Sequence, residues 1–204
     1  MEQSSARRLS LDEYFALVST SPDRLEYRDG RAVALAAPSK NHARIAGNLT
    51  LAFGALARVH GCDYFVGDAK LLSPSGDRVI PDFVVTCDDR DRDADDGGEA
   101  IVRHPWLVVE ILSPATAADD TTYKFDIYRS VVELTHYVVI DSRRRAIRTY
   151  VRNAGGRFEI VDPLDVLTLP LLAERGLSLD EIYRDTTVPR LDDVGATRET
   201  ETTE

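Results

Sequence analysis

The sequence predicts an α+β domain: a mixed β-sheet flanked by helices. Three observations carry that prediction. Lys40 to His60 repeats apolar residues at Ile45, Leu49, Ala52, Phe53 and Leu56, the period of an amphipathic helix. Trp106 to Leu112 is a near-continuous apolar run rich in valine, which reads as a strand buried on both faces. The other apolar runs are short and separated by turn residues, giving the order αββα, then strands, one central helix and more strands. No internal repeat interrupts this order.

Taken in order, Met1–Leu9 is polar and is expected to be a flexible N-terminus, ahead of a domain over 10–184. Ser10 with Glu13 forms a capping-box pattern that starts a short helix, and Ser21-Pro22 ends it. Leu25–Tyr27 and Arg31–Ala36 flank Asp29-Gly30, a strong hairpin signal. Gly61 is a stop for the long helix. Tyr64–Leu72 reads as one or two strands, and Val79–Thr86 as another with Asp82 inside it. Ser113-Pro114 ends the central strand, since proline donates no backbone hydrogen bond. A helix is expected from Thr116, capped by Thr116 or Ser113, with Asp119 and Asp120 in its first turn. Asp120, Lys124 and Tyr128 then share one helix face. Leu134–Ile140 and Ala146–Val151 read as antiparallel strands around Arg143, Arg144 and Arg145, and Arg157–Val161 continues the meander. Leu177–Tyr183 reads as a short helix, and 185–204 as a disordered acidic tail.

The 204 residues, 43% of them apolar, suffice for one domain with a substantial core. No run of 18 apolar residues and no signal-like leader is present, so a soluble, cytoplasmic protein without a membrane partner is expected. Cys62 and Cys87 stand outside any CxxC or Cys/His cluster; they read as core residues in a reducing compartment, with neither a disulfide nor structural zinc expected. The net charge of −10 argues at first against a polyanionic partner. Residues 88–99, however, hold seven acids and two arginines, and 185–204 hold six acids and two arginines. The rest of the chain is nearly neutral, so nucleic acid is neither demanded nor excluded. Segment 88–99 reads as a solvated, exposed insertion.

Two carboxylates stand where charge is costly. Asp82 and Glu110 each sit in an apolar strand, and burying them requires a counter-charge. A shared divalent cation with oxygen preference, Mg²⁺ or Mn²⁺, is one solution; arginine pairing is the other. Arginine is plentiful, at 22 residues, whereas the only lysines are Lys40, Lys70 and Lys124. A lysine is the compact charge suited to sit beside a nucleophile. Lys124, on the helix after the Glu110 strand, is therefore singled out, against the plain reading of a helix partner for Asp120.

Pro81-Asp82, then Glu110 on a strand, then a lysine, resembles the PD-(D/E)xK nuclease superfamily, the restriction-endonuclease fold. More narrowly, the chain from Leu11 to Tyr183 resembles the Uma-two family of restriction-endonuclease-like proteins. The match rests on Leu25-Glu26-Tyr27 with Gly30, Pro38 with His42, Pro81-Asp82, the run Val-Val-Glu110-Ile-Leu-Ser-Pro, and Lys124 with Tyr128. The resemblance implies a restriction-endonuclease-like fold and a Mg²⁺-dependent (or Mn²⁺-dependent) endonuclease acting on DNA. It implies a metal held by Asp82, Glu110 and the carbonyl of Ile111, with Glu26 as a further acid. The superfamily lysine falls two residues after the glutamate, where this chain has Leu112; Lys124 takes its place, and Lys70 is the fallback. Cleavage of both strands of a duplex implies a homodimer.

Plainer readings stand beside these: Glu26 paired with a neighbouring arginine, His42 as a capping or core histidine rather than a phosphate contact, and Arg143–Arg145 as a solvated turn. Two rivals to the nuclease remain. One is a catalytically silent binding or assembly protein of the same fold. The other is a non-nuclease hydrolase, for which the chain offers no phosphate loop, nucleophile elbow or HExxH motif.

Overall fold

The computed structural model describes residues 7–92, 99–113, 122–161, 166–169 and 176–190. The Ser10–Glu13 capping box starts α1 (Leu11–Thr20), and Ser10 also accepts from the Glu13 amide. Asp29 and Gly30, with φ of 46° and 75°, turn β1 (Leu25–Arg28) into β2 (Arg31–Ala34). Both positive φ values belong to the turn whose twist matches a hairpin. Ser39 caps α2 (Lys40–Val59), which buries Ile45, Leu49, Phe53 and Ala57 along one stripe. Then follow β3 (Asp63–Val66), β4 (Lys70–Leu72), β5 (Arg78–Val79), β6 (Phe83–Thr86), α3 (Asp89–Arg92), β7 (Ile101–Val102) and β8 (Pro105–Leu112). The remainder is α4 (Tyr123–Ser130), β9 (His136–Asp141), β10 (Ile147–Arg152), β11 (Phe158–Val161), β12 (Val166–Leu167), β13 (Leu177–Ser178) and α5 (Leu179–Ile182).

Among the described residues the strands form three sheets: β2-β1-β5-β4-β7, β11-β10-β9-β8-β6-β3, and the pair β12-β13. The larger sheet is mixed, with β8 parallel to β9 and antiparallel to β6. One of its faces packs Phe83, Val85, Leu107, Val109 and Ile111 on α2 and α5. Its other face packs Val84, Val108, Tyr137 and Val139 on Ile127 and Tyr128 of α4 and on Leu71 and Val79 of the smaller sheet. The fold is α+β, with β8 at its centre. No helix among the described residues is long and apolar enough to cross a membrane.

Several details differ from the sequence reading. The expected strand Val79–Thr86 is divided: β5 belongs to the smaller sheet and β6 to the larger, with Ile80–Asp82 crossing between them. Pro81 lacks a backbone donor and cannot continue either ladder. Leu177–Ser178 pairs as β13, leaving only Leu179–Ile182 helical. Cys62 and Cys87 form a disulfide. The β3–β6 register pairs Asp63 with Thr86, so the two cysteines are the next pair along the ladder; Cys62 is buried in the core while Cys87 is exposed. The compartment argument from unpaired cysteines therefore falls away.

Segment 88–99 is not wholly solvated. Asp91 in α3 is buried, and accepts from the amides of Arg103 and His104 and from the Thr86 hydroxyl. Residues 93–98 lie outside the described residues. Asp185–Arg190 is attached to the domain, with Val188 only 4% exposed in the core and Thr187 bonded to Asn41, while 191–204 lie outside the description. Leu9 likewise bonds to the hairpin, its amide to Gly30 and its carbonyl to the Tyr27 hydroxyl. The predicted helix start at Thr116 and the place of Asp120 on its face also lie outside the described residues.

Candidate active site

Register brings the two predicted acids together. Phe83 pairs with Val109 across β6 and β8, so Asp82, one step before β6, falls opposite Glu110. Both line a cleft of about 40 Å³ at the C-terminal end of β8, together with Ile111, Ser113, Lys124 and His42. That volume admits an ion or a water, not a large organic group.

Glu110 shares its face of β8 with Val108, the face covered by α4. One turn apart on that helix, Lys124 and Tyr128 reach it together. Lys124 Nζ lies 2.9 Å from Glu110 Oε1, and the Tyr128 hydroxyl donates to the same oxygen. Burial, reinforced by the Glu110 charge, pushes the Tyr128 pKa well above its ordinary value and keeps the phenol a donor. Lys124 also lies 3.2 Å from Glu26 Oε1 and 3.4 Å from the Ile80 carbonyl. Glu26 in turn accepts from the Ile80 amide at 2.7 Å and pairs with Arg28. The result is a buried row, Arg28–Glu26–Lys124–Glu110, in which carboxylates and cations alternate and the desolvated charges balance.

Asp82 is held separately. Its Oδ1 lies 3.0 Å from His42 Nε2, and its Oδ2 accepts from the Ile111 amide at 2.7 Å. Burial works to raise its pKa, but the His42 hydrogen bond and charge, the Ile111 amide and Lys124 outweigh it. The carboxyl is held below its usual range and stays ionised at neutral pH.

Lys124 thus sits at the cleft, while Lys70 does not. Lys70 lies on β4 in the smaller sheet, paired with Glu99 and over the Tyr14 ring at 5.4 Å. Leu112, at the superfamily lysine position, is partly buried against the apolar face covered by α4. Glu26 pairs with Arg28 through one oxygen and lies against Lys124 through the other. His42 is not a buried core residue; its backbone amide bonds to the Ser39 cap and its ring faces Asp82. The neighbouring arginine that pairs with Glu26 is Arg28. Its position two residues after Glu26 on a strand, hence on the same face, was the available signal.

A metal in this cleft would be held by Asp82 and Glu110. Among the described residues no group of three or more His, Cys, Asp and Glu is arranged to hold an ion. Two carboxylates on one cleft, one from β8 and one from the crossing that leads into β6, fit Mg²⁺ or Mn²⁺, which accept one or two protein carboxylates and complete their shell with water and substrate oxygens.

Residues 11–181 match the Uma2 (Uma-two) family, described as "Putative restriction endonuclease". The chain belongs to this family. It is 31% identical over 185 residues, 87% of the chain and 92% of the relative, to the uncharacterized protein slr1290 of Synechocystis sp.. A second Synechocystis protein, the uncharacterized protein sll1609, is 27% identical over 142 residues, 69% of this chain and 79% of its own length. Among solved structures, a protein of Anabaena variabilis titled as a "putative nuclease belonging to DUF820" superimposes with a TM-score of 0.66 at 19% identity. That superposition covers 86% of this chain and 97% of the other. At that identity the likeness establishes the fold, which is the restriction-endonuclease-like fold expected of the Uma2 family.

Proposed function

We propose that this Uma2 protein is a nuclease that hydrolyses phosphodiester bonds of DNA with Mg²⁺ or Mn²⁺, using Asp82, Glu110 and Lys124. The observation that carries the reading is the placement of Asp82 opposite Glu110 on one cleft, with Lys124 buried against the glutamate. The family description and the shared fold point to the same class of reaction.

Asp82, Glu110 and the Ile111 carbonyl are the residues that would hold the ion, which when bound polarises the scissile phosphate and activates a water. The protein residues do the rest. Lys124 orients the attacking water and offsets negative charge growing on the phosphate oxygens, from a site where the surrounding protein excludes bulk water. Tyr128 and Glu26 hold the ammonium and the Glu110 carboxylate in fixed positions, so little reorganisation accompanies the reaction. His42 keeps Asp82 aimed into the cleft. Cleavage of both strands of a duplex calls for two such clefts, supplied by a homodimer.

The test is cleavage of plasmid and oligonucleotide DNA with Mg²⁺ or Mn²⁺, with Asp82→Ala as control. Metal-dependent nicking by the native protein, lost in Asp82→Ala, is the expected result. A native protein that binds DNA and never cuts it would leave the silent-fold rival standing instead.

A further inference from the structure

The turn between β9 and β10 carries three consecutive arginines, and the structure treats them unequally. Arg145 is turned inward, paired with Asp180 and stacked over the Tyr183 ring at 5.6 Å. Arg143 and Arg144 point outward, their side chains 56% and 78% exposed. The turn beneath them is firmly built. The buried Asp141 carboxylate accepts from the amides of Arg143, at 2.8 Å, and Arg144, at 3.3 Å, and from Arg144 Nε at 3.0 Å. The Tyr183 hydroxyl accepts from the Ala146 amide at 3.1 Å and lies within hydrogen-bond distance of the Asp141 and Arg144 carbonyls.

The position of the turn matters as much as its construction. β9 runs parallel to β8, with Asp141 paired to Leu112, and the Ser142 amide and hydroxyl both bond to the Leu112 carbonyl. The arginine turn therefore emerges beside Ser113, a residue that lines the cleft holding Asp82 and Glu110. Adjacent strands lie about 4.8 Å apart and each residue advances about 3.3 Å. Asp141 is level with Leu112, so the backbone at Arg143, about four residues beyond Glu110 and one strand over, stands roughly 14 Å from that of Glu110, about four base steps along a DNA strand. The acids gather at the other end of the same strand. α3, with Asp88, Asp89 and Asp91, packs where Thr86 meets Pro105 and His104, at the start of β8. Asp88, Asp89 and Asp91 thus stand at the end of β8 away from the arginine turn.

We propose that Arg143 and Arg144 form a phosphate-binding rim that seats the sugar–phosphate backbone of DNA a few nucleotides from the scissile bond. The proposal rests on the nuclease reading above and names where its substrate lies. An arginine fork suits phosphate oxygens, and contacts of this kind set position without reading sequence.

The experiment is fluorescence anisotropy of a short labelled DNA duplex, without divalent cation, across a series of salt concentrations, with cleavage measured in parallel. Arg143→Gln with Arg144→Gln should weaken binding roughly tenfold at moderate salt and reduce the slope of log affinity against log salt by about 2. Arg143→Lys with Arg144→Lys should restore most of the slope. Arg143→Gln alone, which leaves the hydrogen bonds that anchor the turn in place, should lower the slope by about 1 even if the double variant does not fold. Arg90→Gln, at the acidic end, should change neither quantity. If the native protein binds and cleaves while the arginine variants keep its affinity and slope, the turn is a solvated one and the rim is refuted with the nuclease reading intact. If binding depends on the two arginines but no cation supports cleavage, the rim stands and the catalytic reading fails. A native protein that binds no DNA overturns both.

Discussion

At the start of β8 a carboxylate lies buried under backbone amides; at its end another lies buried against a lysine and a tyrosine. Asp91, its side chain 1% exposed, accepts from the amides of Arg103 and His104, from Thr86 and from the His104 ring. Those amides cannot move without unravelling the chain, so the acid acts as a staple. Glu110 is held by Lys124 and Tyr128, and faces a cleft that also contains an ionised Asp82. The Glu110 partners Lys124 and Tyr128 are side chains of α4, set by how that helix packs on the sheet. A buried acid is therefore weak evidence of chemistry in itself; what separates the two ends is that Glu110 shares a cleft with a second carboxylate and a lysine, while Asp91 ties together the amides of Arg103 and His104.

Substitutions should act oppositely at the two ends. The largest effect is expected at Lys124. Lys124→Ala removes the cation shared by Glu26 and Glu110 and should destabilise by about 3–5 kcal/mol. Cleavage per folded molecule should fall by orders of magnitude. Lys70→Ala, which loses a pair with Glu99 in another part of the fold, should be mild in both. Equal effects in melting and nicking assays would erase the distinction between the lysines.

At the other end, stability should suffer and activity should not. The Cys62–Cys87 disulfide, spanning a sequence separation of 25, should contribute about 3 kcal/mol by limiting the unfolded chain. Cys62→Ser with Cys87→Ser should lower the melting temperature and leave cleavage per folded molecule unchanged. Asp91→Asn keeps one acceptor oxygen and loses the charge that serves the amides, at a cost of about 2 kcal/mol. Loss of activity beyond the unfolded fraction in either variant would tie this end to the chemistry.

The smallest effect concerns pH. His136, at the start of β9 with its ring 4.7 Å from Trp106, has its pKa lowered by burial. The folded state thus disfavours the proton. Its contribution is complete above the ordinary histidine value of about 6.5 and is lost as pH falls through the lower folded value. Replacing His136 by glutamine should flatten the decline of melting temperature below that pH. An unchanged slope would assign the acid sensitivity to other groups.

Much of this organisation was legible in the sequence because local rules and tertiary packing agree there. The Ser10–Glu13 box, the Asp29-Gly30 turn, the α2 stripe and the apolar β8 run each carry their own signal, and Glu110 stood out as a charge in that run. Asp82 was noticed for a partly wrong reason. It does not lie within a strand but on the crossing between two sheets, which only Pro81 hinted at. The disulfide depends on the β3–β6 register, and register between distant strands leaves no local trace. Asp91 was hidden among six other acids, where composition speaks for solvation and only the fold selects the one that turns inward. Val188 was missed similarly, a single apolar residue in a polar stretch that finds a place in the core.

The central claim is that the end of β8, and not its start, holds the cation. Calorimetric titration of Mn²⁺ into the native protein, Asp82→Ala and Asp91→Asn tests it most directly. The account predicts saturable binding to the native protein, loss of that binding in Asp82→Ala and its retention in Asp91→Asn. Unchanged Mn²⁺ binding in Asp82→Ala would contradict it.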